Sequence, residues 1–195
     1  MLGSITPLGE RGRGSRWGVT VSAYLVGSAA GGAALGATLG TLGEPLPLSS
    51  TARLVILAGA VAIGIAFDLG VGGLTLPTTR RQVDERWRAE YRGWVWGLMF
   101  GFQLALGVIT VVTTSMVYVT WVAALLAGST GAGATIGLAF GLARALPILG
   151  VARVRTSGQL LGVDRTLQRL ASPARRATIA ASASIAAVAI VGVAR

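Results

Sequence analysis

From Trp94 to Gly128 the chain runs through thirty-five consecutive residues without one charged side chain. An apolar run of that length predicts a membrane-spanning helix before any other structure. As a single helix it would be ~52 Å long at ~1.5 Å per residue, longer than a hydrocarbon core of ~30 Å. Aromatic residues suggest where the lipid boundaries fall. Trp94 and Trp96 stand at one end, Tyr118 and Trp121 at the other, in the manner of interfacial belts. The ~37 Å of helix from Trp96 to Trp121 suits one tilted span with its anchors in the headgroups.

Composition agrees. Of 195 residues, 53% are hydrophobic and only 12% charged, where a soluble domain carries about 25% charged residues. The expectation is one all-α integral membrane domain over 17–195, after a short polar cytoplasmic lead over 1–16. The net charge of +10 comes from seventeen Arg and no Lys against seven acids. In a soluble protein such a balance points to nucleic acid. Here the Arg gather between apolar runs, so they report topology and contact with anionic lipid, and no nucleic-acid partner is expected.

There is no Cys and no His, which removes disulfides, thiol redox chemistry, thiolate zinc sites and imidazole ligation together. Paired carboxylates at hydrolase spacing, a phosphate-cradling Gly loop and a nucleophile elbow are also missing. Neither enzyme activity nor a catalytic residue, cofactor or metal is expected.

In chain order, the first span covers about 17–42. Its Gly27 and Gly31, then Gly32, Gly36 and Gly40, place small residues on helix faces that let another backbone approach. Pro45 and Pro47 mark a turn. The second span covers about 51–76 and holds Asp68; Val83, Trp87, Tyr91 and Trp94 then follow with helical spacing among charges, predicting an interfacial amphipathic helix. The third span is the opening stretch. The fourth, about 135–152, holds Arg144 and Pro147. A second amphipathic pattern follows in Leu160, Val163, Leu167 and Leu170, and a final span covers 177–194.

Arginine placement sets the expected topology. With five spans and a cytoplasmic N-terminus, fourteen of the seventeen Arg face inward, as the positive-inside rule favours. The alternative is a hairpin within 94–128, giving six spans. The expected location is the plasma membrane, multi-pass. IGIAFDL at 63–69 recurs as IGLAFGL at 136–142, suggesting an internal repeat, with copies over about 17–93 and 94–171. Repeats are a common plan for transporters.

Small-residue spans, two similar halves, FGLARALPILG at 140–150 and FGFQLALGVITVVTTS at 100–115 give the chain a further feature. It resembles the transmembrane domain of the cytochrome c biogenesis and thiol-disulfide transporter family, of the CcdA and DsbD type. The resemblance implies a six-span scaffold carrying electrons through one membrane-embedded Cys in each half. This chain has neither Cys, so the resemblance extends to the scaffold alone.

Asp68 and Arg144 are the ionisable residues within spans, each costing ~2.5–3.5 kcal/mol at a span centre. They suggest a pair across the bundle, serving either as a gate or relay or as a lock between the halves. Gln103, Thr110 and Thr114 fall on one stripe of the third span, a hydrated path or ordinary helix packing. The leading expectation is translocation of a small solute or ion. The alternative is a non-catalytic accessory or assembly subunit of a larger membrane complex, with a membrane-protein partner or a second copy against its apolar faces.

Overall fold

The computed structural model describes residues 6–12, 14–73, 76, 91–107 and 114–152, together with 154, 156, 158, 159, 162, 165, 166, 169, 173 and 176–184. Among these the chain is mostly helical and contains no strand. In order, the helices are α1 (Pro7–Gly12), α2 (Trp17–Gly43), α3 (Ser50–Leu69), α4 (Gly93–Leu106), α5 (Met116–Leu126) and α6 (Thr130–Ala145); a 3-10 turn, Leu146–Val151, extends the last. Among the described residues, three stretches are long and apolar enough to cross a membrane: Trp17–Gly43, Ser50–Leu69 and Thr130–Val151. The predicted helix around 80–93 lies largely outside the described residues, as do most of 160–170 and the end of the final span.

The hub is α2, and its glycines make it so. Gly27 and Gly31 meet the backbone of Leu98 and Phe102 on α4, while Gly32, Gly36 and Gly40 meet Gly137, Gly133 and Ser129 at α6. A Cβ at any of these positions would run into a backbone carbonyl, so only glycine lets the helices approach so closely. The order of the contacts gives the directions. Numbers rise together on α2 and α4, which are parallel; they run oppositely on α2 and α6, which are antiparallel.

Helix α3 stands apart from α2 and packs on α5 instead, with Gly64 against the side chains of Ser115 and Val119. Ser49 caps its start, Oγ accepting from the Ala52 N–H at 3.1 Å. It stops at Leu69, seven residues before the expected end of the second span, because Gly70 turns left-handed at φ 69° and closes the helix. Only 11% of its apolar window is buried within the chain. So apolar and so little covered a helix is compatible with a membrane span.

The opening stretch is not the continuous helix its composition predicts. Helix α4 ends at Gly107, which adopts φ 67°, and α5 begins anew at Met116. Both halves run the same way as α2: α4 begins beside Thr20 and reaches Phe102 opposite Gly31, whereas α5 ends at Leu125, opposite Gly43. Thus α4 and α5 point the same way along α2, α4 ending about midway along it. The cause is local. Gly107 suits the left-handed stop, and Thr114-Ser115 is a polar restart before the next apolar run.

The aromatic belt needs a second correction. Trp96 is only 6% exposed and belongs to a core with Val21, Tyr24, Ala145, Ile148 and Val151. Phe100 joins it, stacked on Tyr24 with ring centroids 5.7 Å apart. At that end Trp94 keeps an exposed face. The fourth span begins at Thr130, five residues before its expected start.

Candidate functional site

Among the described residues, charges inside this bundle sit near the ends of their helices, and their signs match the ends of the neighbouring helices they face. Asp68, near the end of α3, accepts from the Ser115 backbone N–H at 2.9 Å and from the Ser115 hydroxyl at 2.7 Å. Ser115 precedes the first turn of α5, so the carboxylate faces the positive end of that half-helix. Arg144, on the last turn of α6, reaches the other side of the break: a Cβ at Gly107 would lie 3.6 Å from its Nη1. Its guanidinium carbon also stands 5.9 Å from the Phe140 ring centroid, a cation–π distance. A cation there suits the negative end of α4.

The same logic recurs at the far end. Arg53 donates from Nη1 to the Leu126 carbonyl at 2.7 Å, satisfying an orphan acceptor at the close of α5. Glu44 accepts from the Thr130 N–H at 3.1 Å and its hydroxyl at 2.9 Å, where α6 begins. At the near end, residues expected to form a loose polar lead are instead folded. Glu10 of α1 is fully buried and accepts from Thr20 Oγ1 at 2.8 Å, beside Gly93 at the start of α4.

The predicted site residues therefore fall into two groups. Asp68 and Arg144 both serve the break between α4 and α5. Gln103 is half-buried on α4, and Thr114 is half-buried at the restart, next to Ser115. Thr110 lies outside the described residues. Glu10, Glu44, Arg53 and Ser115 escaped the sequence reading. For Ser115 the signal was available, since a Ser immediately before an apolar run after a Gly stop is an N-terminal signature.

At Gly107, where α4 stops, the packing is tight. Trp121 and Val117 close on Gly107, where a Cβ would come within 3.0 Å and 2.9 Å of their side chains. The cavity beside it, lined by Gly32, Gly36, Ala105, Trp121 and Phe140, holds only about 10 Å³. Replacing Gly107 with Ala therefore combines a left-handed backbone penalty of ~1–2 kcal/mol with a clash. The expected result is a lower melting temperature in detergent, and an unchanged one would contradict the observed break.

Comparison with known proteins corrects the family resemblance. The chain is 31% identical to methylamine utilization protein MauF of Methylophilus methylotrophus over 152 residues, covering 75% of this chain and 53% of that protein. It is 32% identical to MauF of Paracoccus versutus, covering 74% of this chain and 56% of the relative. For MauF of Paracoccus denitrificans the figures are 33%, 74% and 54%. The chain thus spans about half the length of the curated relatives it matches. No family model matches the chain, and no solved structure matches it. The likeness to thiol-disulfide transporters is not retained, because the relatives that match carry the MauF name. It had rested on Gly, Ala, Leu and Pro in membrane context, which many unrelated spans share. Solute or ion translocation, the leading expectation from sequence, falls on the same finding.

Proposed function

We propose that this chain is a multi-pass membrane protein that serves a methylamine utilization system as a non-catalytic accessory or assembly component. The observation that carries the proposal is the similarity to relatives named for methylamine utilization over three quarters of the chain. Using methylamine requires breaking its one C–N bond. A chain without Cys or His offers few groups for that chemistry, so we assign the bond-breaking step to a partner protein.

The packing supports an accessory role. Among the described residues, the cavity between α2, α5 and α6 is about 10 Å³, near the volume of a single water probe. Among the described residues, larger hollows of about 440 and 270 Å³ lie on the flanks and are lined mainly by apolar side chains. In this reading Asp68 and Arg144 hold the half-helices in place, and Gln103, Thr110 and Thr114 are packing residues. Five crossings follow if 93–128 counts as one broken span and 177–194 as the last, with the N-terminus cytoplasmic. The match between 63–69 and 136–142 then reflects duplication of a two-span unit. Apolar outer faces meet the bilayer or a membrane-protein partner.

Deleting the gene for this chain in its host tests the proposal. Growth on methylamine should fail while growth on an unrelated carbon source continues, and restoring the chain should restore growth. Undiminished growth of the deletion strain on methylamine would overturn the assignment.

A further inference from the structure

One flank of the bundle has a built-in amphiphilic shape. Between α2 and α4 lies a groove of about 440 Å³, lined by Gly18, Ser22, Val26, Trp94 and Leu98 among others. Its walls are exposed, Val26 at 59% and Trp94 at 49%. A Cβ at Gly18 would meet nothing within 4 Å, so the floor is open at the helix start.

At the same end the charge is lopsided. Arg16 and Arg92 stand immediately before α2 and α4, where they oppose the helix dipoles instead of complementing them. Both are exposed, as is Arg11. Their chain neighbours touch, because a Cβ on Gly93 would lie 3.0 Å from Ser15 Oγ. Among the described residues neither Arg16 nor Arg92 has a carboxylate partner. The nearby acid, Glu10, is buried and holds Thr20. Glu44, Arg53 and Asp68 also oppose their own helix ends, but each meets the start or end of a neighbouring helix, whereas the exposed Arg16 and Arg92 make no such contact among the described residues and are free to serve something outside the chain.

We propose that the groove binds one anionic phospholipid, with an acyl chain along Ser22, Val26 and Leu98 and the phosphate between Arg16 and Arg92. Trp94 suits the headgroup boundary between the two. A second copy of this chain docked symmetrically on the same face would bring these arginines toward their own counterparts, so charge complementarity selects the anionic lipid. The inference rests on the membrane reading.

Native mass spectrometry of the full chain, purified in mild detergent and offered phosphatidylglycerol or phosphatidylcholine, tests it. Wild type should retain phosphatidylglycerol in clear preference. The double variant R16Q/R92Q should lose about thirtyfold of that preference, from two arginines near a phosphate, whereas R16K/R92K should keep most of it. Ser22→Trp, which fills the groove, should weaken retention of both lipids. Equal retention of the two lipids by wild type, or an R16Q/R92Q variant that behaves like wild type, would overturn the lipid site. So would a photo-crosslinker at position 22 that captures protein, a second copy included, instead of lipid. A chain that stays soluble without detergent and retains neither lipid would instead refute the membrane reading.

Discussion

Gly36→Ala is expected to disrupt the bundle. The new methyl group would drive into the Gly133 carbonyl, and on this face backbone meets backbone with no flexible side chain to yield. Overpacking a core costs ~1–3 kcal/mol where side chains can adjust, and more where they cannot. A loss of about 3 kcal/mol or more is therefore expected, a large share of the stability of an ordinary domain. Gly137→Ala, on the opposite wall, should behave alike, because its Cβ would strike Gly32. Gly59→Ala is the matched control: nothing lies within 4 Å of its Cβ, and Ala favours helix over Gly by up to ~1 kcal/mol. Thermal unfolding in detergent, followed by size-exclusion chromatography, should show early loss of the monodisperse peak for Gly36→Ala and none for Gly59→Ala. Equal melting of the two variants would mean that α2 and α6 are not in backbone contact.

Asp68→Ala should produce the second-largest effect. It removes the acceptor of two hydrogen bonds, to the Ser115 N–H and hydroxyl, at the start of a half-helix buried in the bundle. Hydrogen bonds to charged groups contribute ~1.5–3 kcal/mol each, and stranding a buried donor costs ~1–3 kcal/mol. Recovering the solvation of the carboxylate offsets part of this, leaving an expected loss of about 2 kcal/mol. Asp68→Asn keeps an acceptor oxygen and should lose less. The same melting assay measures both. A variant Asp68→Ala as stable as wild type would show that the carboxylate does not anchor α5.

Apolar length alone located α2 to within a residue, because a 27-residue helix without a charge admits few alternatives. The glycine rows on α2 predicted close approach, and the structure shows that the partners are α4 and α6. The break in 94–128 was less visible. Composition cannot register one left-handed glycine, since Gly107 looks like any of the other small residues in these spans. Asp68 and Arg144 were recognised as costly, yet their neighbours depend on tertiary placement: Ser115 is forty-seven residues from Asp68 in sequence. Glu10 was read as part of a polar lead because burial of a carboxylate at a helix start leaves no periodic trace. The family resemblance failed for a related reason, as Gly- and Ala-rich spans look alike across unrelated membrane proteins.

The central claim is that 93–128 crosses the membrane once, as two half-helices pointing the same way. The chain has no Cys, so single cysteines introduced at Ser49, Arg92 and Ser129 report sidedness directly when intact cells meet a membrane-impermeant maleimide. Positions 49 and 129 should share one side, and position 92 should lie on the other. Labelling of 92 and 129 from the same side would mean a hairpin, and the broken span described here would be wrong.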